Sequence, residues 1–331
     1  MTGIGRFVAL LALLYLAAAL LIEMVGNAGG RLALDESRPR APAQAVGPDD
    51  PFPRTVTDDL GGIVTVPAPP TRIVSNSITV DGLLFAVVDA ERVAAVSPFS
   101  MDPRFSDVAE TANRLGLPSS ESPEIALRLR PDFVFTGLHA RAEWLSLMRH
   151  AGAPIYRVGD TVLKVSELLK LVRRIGYLTG ADESADQVVK SWEARLERVR
   201  SRVPEAGASP PRVLGYNRAL SYSYGSETLF HDAVTLIGAT NVGAEQGLES
   251  YERISTEEIA AWNPEWIVTG AGPGQRTQLE GQLLDDPGIA ATQAARSGQV
   301  LVLPQHVFLT VSHNIVTLIE SIAAALYPEE A

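Results

Sequence analysis

The chain contains no cysteine, and its basic residues are outnumbered by acidic ones. Its 331 residues include 28 Lys and Arg against 39 Asp and Glu, for a formal net charge of −11. The absence of cysteine excludes disulfide bonds, thiolate zinc sites, iron–sulfur clusters, a cysteine nucleophile and the lipidated cysteine of a bacterial lipoprotein. The acidic balance argues against a nucleic-acid partner, because such proteins need a basic face to neutralise phosphates.

Motifs of the common enzyme classes are also lacking. The sequence has no phosphate-binding Gly-x-x-x-x-Gly-Lys, no Gly-x-Ser-x-Gly and no His-Glu-x-x-His. The segment Gly270–Gln275 approaches a dinucleotide-binding loop, but Pro273 interrupts it and Gln275 replaces its last glycine. The five histidines lack the close spacing of a metal site, although a site assembled from separate loops remains an alternative. We expect no cofactor. The sequence also lacks the paired acid and base that would indicate an enzyme.

An apolar run at the N-terminus indicates export. Residues 7–22 form 16 uncharged residues between Arg6 and Glu23, short for a bilayer span and suited to a signal peptide. Small residues allow cleavage after Ala28, while an uncleaved membrane anchor over residues 1–28 is the alternative. Residues 29–55, rich in proline, alanine and charge, are typical of a flexible tether. We therefore expect a periplasmic protein, free or held through its N-terminal segment.

The remaining chain predicts an α/β fold of two lobes with mostly parallel central sheets. Short β-branched runs alternate with helical patterns and end in Gly, Pro or Ser. We expect an N-terminal lobe over residues 56–163, a helical linker over 164–209 and a C-terminal lobe over 210–331. Two apolar stripes in the linker, separated near Gly180, predict two helices, of which the second is long enough to span the lobes. A hairpin around Gly61 is expected at the edge of the first lobe.

Two stretches of the sequence share one pattern. Residues 124–137 read EIALRLRPDFVFTG, and residues 257–270 read EEIAAWNPEWIVTG. In each, a glutamate opens a short helix, the helix ends before a proline, an acidic residue follows, and a strand leads to Thr-Gly. The pattern indicates a pseudo-repeat with one copy in each lobe.

The candidate ligand contacts follow the strands, because ligands of open α/β sheets bind beyond the carboxyl ends of the strands. These residues are mostly neutral donors and aromatic rings, which suit holding a large, partly apolar ligand. The two arginines among them could meet an anionic chelate or a propionate, and packing is the alternative role for each aromatic ring. The candidates are Ser75, Asn76, Ser77, Phe99, Met101, Arg104 and His139 in the first lobe, and Asn217, Arg218, Tyr222, Tyr224, Tyr251, His306 and Phe308 in the second.

From Pro70 to Pro328 the chain resembles the class III periplasmic solute-binding proteins, which serve ABC importers of cobalamin, haem and ferric siderophores. The resemblance implies two Rossmann-like lobes joined by a single long α-helix, with a small-molecule metal chelate held between them. It also implies a monomer that delivers the chelate to an ABC permease dimer in the inner membrane. The segments that carry the resemblance are PTRIVS at 70–75, LRPDFV at 129–134, GYLTG at 176–180, LIGATNV at 236–242 and NPEWIV at 263–268.

The resemblance also implies a docking role for two glutamates. In that family a glutamate on the outer surface of each lobe docks to arginines of the permease, and the repeat places these positions at Glu124 and Glu257. The alternative role of each is to stabilise the dipole of its helix.

Other functions remain open at this point. A direct zinc- or manganese-binding protein would need His139, His231 and His306 to converge with an acidic residue. A membrane-tethered sensor domain is a further alternative.

Overall fold

The computed structural model describes residues 50–138, 140–159, 164–204 and 209–328. All of them lie in one compact unit. The expected signal or anchor segment, most of the tether and the candidate His139 lie outside the described residues. Among the described residues, none of the helices combines the length and the apolar character needed to cross a membrane.

An antiparallel hairpin precedes the lobes, as expected. Its strands are β1 (Arg54–Thr57) and β2 (Ile63–Val66), joined by a turn in which Gly61 has a φ of 83°. The turn is attached to the first lobe, because the Asp58 carboxylate accepts a hydrogen bond from Arg157 Nε at 2.6 Å and Asp59 accepts one from the Tyr156 hydroxyl at 2.7 Å.

The N-terminal lobe is built on a parallel sheet of four strands in the order β4-β3-β5-β6. Most residues of its strands are apolar and buried, as expected for a sheet whose faces are covered by helices. A 3₁₀ turn at Pro98–Met101 follows β4. The strands are β3 (Ile73–Asn76), β4 (Val93–Ala95), β5 (Phe133–Thr136) and β6 (Ile155–Arg157), and the helices are α1 (Ile78–Val87), α2 (Ala109–Arg114), α3 (Pro123–Arg128) and α4 (Ala142–His150).

The linker consists of two helices, α5 (Val165–Thr179) and α6 (Asp182–Arg200). They are separated at Gly180, whose φ of 69° is in the left-handed region that glycine adopts without steric cost. The hairpin is fixed at this junction: the Arg54 guanidinium lies 4.6 Å from the ring centroid of Tyr177 and 2.6 Å from the Asp182 carboxylate. The 19 residues of α6 match the expected long helix.

The C-terminal lobe has a sheet of six strands in the order β10-β8-β7-β11-β12, with β9 also beside β7. The pairs formed by β7, β9, β11 and β12 are parallel, whereas β8 and β10 extend the sheet in antiparallel fashion. The strands are β7 (Arg212–Asn217), β8 (Tyr222–Tyr224), β9 (Thr240–Asn241), β10 (Tyr251–Arg253), β11 (Trp266–Ala271) and β12 (Val300–Pro304). The helices are α7 (Leu229–Leu236), α8 (Val242–Glu245), α9 (Thr256–Trp262), α10 (Arg276–Leu284), α11 (Pro287–Ala290), α12 (Gln293–Arg296), α13 (Gln305–Phe308) and α14 (Ile315–Leu326).

Two α/β lobes with mostly parallel central sheets are therefore confirmed. A single hydrophobic cluster passes from the first lobe through the linker into the second, and it includes Leu83, Ile175, Trp192, Phe230 and Ile319. Helix α6 packs against both α1 and α14, so it connects the two lobes. This continuous packing opposes a wide separation of the lobes. The expected boundaries of the lobes and linker stay predictions.

The pseudo-repeat extends to individual hydrogen bonds. After α3 and α9 the residue immediately before the proline is in the left-handed region, Arg130 with a φ of 48° and Asn263 with a φ of 46°. The sequence predicted that the helices end there but not this conformation. In each lobe an arginine that opens the first strand bonds to the carbonyl of that residue, Arg72 to Arg130 at 2.8 Å and Arg212 to Asn263 at 3.0 Å.

The acidic residue after each proline has the same role in both lobes. Asp132 accepts a hydrogen bond from the Arg72 N–H at 2.8 Å, and Glu265 accepts one from the Arg212 N–H at 3.1 Å. Each acid also donates its own N–H to the carbonyl of the same arginine. The repeated sequence pattern thus encodes one structural unit that joins a helix to two parallel strands.

Candidate functional site

The lobes meet near the carboxyl ends of their strands. The Ser312 hydroxyl donates to the Thr79 carbonyl at 2.6 Å, and His313 Nε2 lies 2.9 Å from the carboxylate of Asp107. Burial alone would raise the pKa of Asp107, but the hydrogen bond and charge of His313, together with the charge of His306 and a hydrogen bond from Asn314, lower it. Only a glycine fits at Gly82 of α1, because a Cβ there would lie 2.2 Å from His313 Nδ1.

A narrow cavity lies beside this contact. Its volume of about 10 Å³ is room for about one water molecule, so the lobes are nearly closed against each other here. Residues of both lobes line it: Ile78, Gly82, Phe105 and Ser106 from the first, and His306, Leu309, Thr310, Val311, Ser312, His313 and Asn314 from the second. A larger ligand at this position requires the lobes to separate.

A second, wider groove lies on the linker side of His313 and Asn314. It has a volume of about 470 Å³ and is bordered by α1, α6 and α14. The Arg195 guanidinium in its wall is bound to the Glu320 carboxylate at 2.6 Å and to the Thr317 hydroxyl at 3.2 Å. Arg195 is therefore already paired with a carboxylate, and an anionic ligand in the groove would compete with Glu320 for it.

The structure places the first lobe's strand-end candidates at one edge of the sheet. Asn76 of β3 is opposite Thr136 of β5, and a Cβ on Gly137 would lie 3.9 Å from Ser77 Oγ. Asn76 and Ser77 are half-buried there, whereas Ser75 is fully buried within the lobe. Ser75 is therefore not accessible to a ligand in this conformation.

The loop after β4 carries three further candidates. The rings of Phe99 and Phe105 are perpendicular with centroids 5.9 Å apart, and Met101 packs against the core. The Arg104 guanidinium lies 5.5 Å from the centroid of Phe105 and is bound to Asp102 at 2.5 Å. The hydrogen bond to Asp102 raises the pKa of Arg104 further. An anionic ligand would therefore compete with Asp102 for this arginine.

The second lobe contains an aromatic cluster centred on Tyr224. Its ring centroid lies 4.9 Å from Phe230, 5.3 Å from Phe308 and 5.5 Å from Tyr251. Tyr224 and Phe308 are only 5% and 3% exposed, whereas Tyr251 is 49% exposed. In this conformation Tyr224 and Phe308 are packing residues, and Tyr251 is the member of the cluster that offers a surface to solvent.

The remaining candidates of the second lobe lie in two places. Asn217, Arg218 and Tyr222 are half-buried at the turn between β7 and β8, where Asn217 pairs with Tyr222 and the Arg253 guanidinium lies 5.7 Å from the Tyr222 ring. His306 lines the cavity between the lobes. The assignment of these residues to a ligand stays a prediction.

Glu124 and Glu257 occupy equivalent, exposed positions. Each is the second residue of its helix, after a serine N-cap, Ser122 in α3 and Ser255 in α9. In α9 the capping carboxylate is Glu258, which accepts hydrogen bonds from the Ser255 N–H at 2.8 Å and hydroxyl at 2.9 Å. In α3 the Ser122 hydroxyl donates to Glu124 and lowers the pKa of its carboxyl. Glu258, and not the neighbouring Glu257, therefore caps α9.

Sequence reasoning did not identify Phe105, Asp107 and His313 as residues of the interlobe contact. Phe105 and Asp107 belong to no recognisable motif, and His313 has no distinctive spacing. Within the residues that the structure describes, no group of three or more His, Asp or Glu side chains is arranged to hold a metal ion. The convergence that a direct zinc or manganese binder requires is therefore not found there.

Comparison with known proteins identifies similar chains. Residues 73–307 match the family model described as periplasmic binding protein. A cobalamin-binding protein from Halobacterium salinarum is 26% identical over 304 residues, which cover 90% of this chain and 78% of the relative.

Solved structures share the fold. The haem-binding protein HmuT superimposes with a TM-score of 0.67 at 20% identity, covering 87% of this chain and 94% of HmuT. A protein of the ABC-type Fe³⁺-hydroxamate transport system from Saccharomonospora viridis superimposes with a TM-score of 0.66 at 21% identity, covering 83% of this chain and 99% of that protein.

Proposed function

The chain belongs to the periplasmic binding protein family, and on this premise we propose that it is the substrate-binding component of an ABC importer for a metal chelate. The chelate is an iron siderophore, haem or cobalamin, held between the lobes and delivered to a permease. The observation that carries this proposal is the match of residues 73–307 to the periplasmic binding protein model. The narrow space between the lobes, which residues of both lobes line, marks where the chelate would bind once the lobes separate. The protein binds its substrate and is not an enzyme.

The side chains around the cavity favour a large organic chelate over a bare metal ion. Phe105 lines the cavity and packs against Phe99, and Tyr251 is an exposed ring of the second lobe. Asn76 and Ser77 supply neutral hydrogen-bonding groups at the end of β3, directly before the cavity residue Ile78. A binding site of this composition gains affinity by removing apolar ligand surface from water and fixes orientation with a few polar contacts. The similar proteins whose names mention cobalamin, haem and Fe³⁺-hydroxamate all concern chelates of this kind.

Thermal unfolding in the presence of candidate substrates tests this function. The purified protein is unfolded alone and with cyanocobalamin, haemin, ferrichrome, zinc or manganese. A ligand that binds only the folded state at a hundredfold excess over its Kd adds about 2.7 kcal/mol to the free energy of unfolding. A shift with one organic chelate supports the proposal. A shift with a bare metal ion alone would support the direct metal-binding alternative, and no shift with any of them would contradict the proposal.

We further propose that Glu124 and Glu257 dock the two lobes to the permease. Their equivalent, exposed positions at the starts of α3 and α9 are what a permease dimer of two similar halves would contact. The double variant Glu124→Lys/Glu257→Lys should abolish uptake of the chelate by cells while its Kd stays within about twofold. The matched control Glu110→Lys/Glu227→Lys reverses one exposed glutamate per lobe elsewhere and should leave uptake intact. Loss of chelate affinity in the first variant would contradict the docking role.

We place the protein outside the cytoplasm as a monomer. The uncharged run over residues 7–22 supports export, and the composition of residues 29–55 supports a tether to the folded lobes. Cell fractionation with N-terminal sequencing distinguishes a chain whose signal peptide has been cleaved from one that is anchored through its N-terminal segment. A soluble periplasmic chain that begins near Gly29 indicates a cleaved signal peptide, whereas an intact chain in the membrane fraction indicates an anchor.

A further inference from the structure

A carboxylate is buried beneath the loop that carries Phe99. Asp81, in the first turn of α1, is fully buried, and its Oδ2 accepts hydrogen bonds from the Ser97 N–H at 2.9 Å and the Ser100 hydroxyl at 2.7 Å. Its other oxygen, Oδ1, is buried without a hydrogen-bond partner among the described residues. Burial raises the pKa of Asp81 to about 6, although the serine hydroxyls of Ser75, Ser100 and Ser97 favour the charged form.

A carboxylate in this environment is unfavourable for folding. Burying a charge with one oxygen unsatisfied costs free energy that a neutral residue of similar shape avoids. Strongly perturbed carboxyl groups beside a cleft are typical of functional sites, where stability is lower than the fold allows. Asp81 is not among the candidate ligand contacts, so an effect on ligand binding must act through Ser97 and Ser100, which are hydrogen-bonded to it.

Those residues lead directly to the cleft. Ser97 and Ser100 stand on either side of Phe99, at the start of the 3₁₀ turn Pro98–Met101 and within it. Phe99 packs edge-on against Phe105, which lines the cavity opposite His306 of the other lobe. The second side-chain bond to this turn, from Asn113 to the Met101 carbonyl, is long at 3.4 Å. The bonds to Asp81 are thus the shorter connections between this turn and the body of the lobe.

We propose that Asp81 is a positioning residue for ligand binding. By accepting hydrogen bonds from Ser97 and Ser100, it holds the 3₁₀ turn Pro98–Met101 in place, so that Phe99 and Phe105 form one wall of the cleft. This inference rests on the proposed binding function. The two bonds reach one oxygen of Asp81, so an asparagine that presents its amide oxygen at that point retains both of them.

Two substitutions at Asp81 test the proposal in the full-length protein. Asp81→Ala removes the acceptor and should speed hydrogen exchange of the amides in the turn at least tenfold. The chelate that raises the thermal midpoint of the wild type is then used as the probe. Its Kd should be at least tenfold higher for Asp81→Ala than for the wild type, while the thermal midpoint of the unliganded variant stays equal or rises. Asp81→Asn should restore the exchange rates and the Kd to within about threefold of the wild type. This separation of affinity from stability, with rescue by the amide, is not expected of a residue that only supports the fold.

Asp58→Ala is the matched control. Asp58 is also a buried carboxylate, but it lies in the turn of the hairpin, where it binds Arg157 of the first lobe and the Gly62 N–H. This variant should lower the thermal midpoint and leave the Kd unchanged.

Three results would overturn the positioning role. The first is unchanged hydrogen exchange of the turn amides in Asp81→Ala. The second is faster exchange in Asp81→Ala without a change in the Kd of the chelate. The third is a loss of chelate affinity in Asp58→Ala equal to that in Asp81→Ala. If the wild-type protein binds none of cyanocobalamin, haemin and ferrichrome, the proposed function fails. The exchange rates of the turn still show in that case whether Asp81 orders it.

Discussion

Replacing Asp81 with asparagine should remove a pH-dependent loss of stability. Burial raises the pKa of Asp81 from its ordinary value of 3.8 to about 6, so folding favours the protonated form. In the unfolded chain the carboxyl titrates near its ordinary value. The stability that this group contributes is therefore fully present below about pH 4 and is lost as the pH rises through about 6.

The size of the effect follows from the shift. The difference between 6 and 3.8 is about 2 pKa units, which corresponds to about 3 kcal/mol at about 1.4 kcal/mol per unit. The free energy of unfolding of Asp81→Asn, relative to the wild type, should thus rise by about 2.4 kcal/mol between pH 4 and pH 7, because the carboxyl of the unfolded chain is already partly ionised at pH 4. Comparing two pH values cancels the constant cost of the new amide N–H, which lacks a partner and costs about 1–3 kcal/mol at any pH.

Urea unfolding followed by tryptophan fluorescence from pH 4 to pH 8 measures this difference, since the chain has four tryptophans. Ser100→Ala is an informative control. The Ser100 hydroxyl stabilises the charged carboxylate, so its removal should move the inflection of the stability curve to higher pH.

Parallel stability curves for Asp81→Asn and the wild type, within about 0.5 kcal/mol from pH 4 to pH 7, would refute this reasoning. A wild type that gains stability over the variant as the pH rises would also refute it. That result would mean that the folded protein stabilises the charged Asp81 carboxylate better than water does, and that Asp81 Oδ1 has a hydrogen-bond partner in solution.

Two further predictions concern the contacts between distant segments. Gly82→Ala should lower the free energy of unfolding by about 1–3 kcal/mol and raise the radius of gyration in X-ray scattering, because its Cβ would lie 2.2 Å from His313 Nδ1 and 2.6 Å from Ser312 Oγ; unchanged scattering and stability would show that the lobes are not in close contact. Arg54→Ala should cost about 3 kcal/mol in urea unfolding, because it leaves the largely buried Asp182 without its ion pair at 2.6 Å. A loss below about 0.5 kcal/mol would mean that the hairpin is not fixed to the linker.

Much of the fold could be predicted from short patterns. Strand β5 is a buried run of aromatic and β-branched residues, and β2 is a β-branched run whose burial alternates; short runs of this kind between turn residues are a local signal of strands. Strands β9 and β10 carry no such signal. They are two and three residues long, and β10 is exposed along its length at the sheet edge, so neither has an apolar pattern.

The pseudo-repeat shows how far local patterns reach. The spacing of glutamate, proline and acid predicted two equivalent helix–strand units, and the structure forms them with matching hydrogen bonds at Arg72 and Arg212. Only the structure revealed the left-handed residues Arg130 and Asn263, because a proline restricts the preceding residue but leaves more than one conformation open to it.

By itself the sequence determined the fold class, the repeat and the family resemblance, all of which depend on the order and periodicity of residues along the chain. The tertiary structure alone decided which side chains surround the cleft. Tyr224 and Phe308 are buried by packing against Phe230, while Asp107 and His313 are brought together across the two lobes. Periodicity along the chain records which face of an element is buried. Contacts between residues about 200 positions apart depend instead on how separate elements pack.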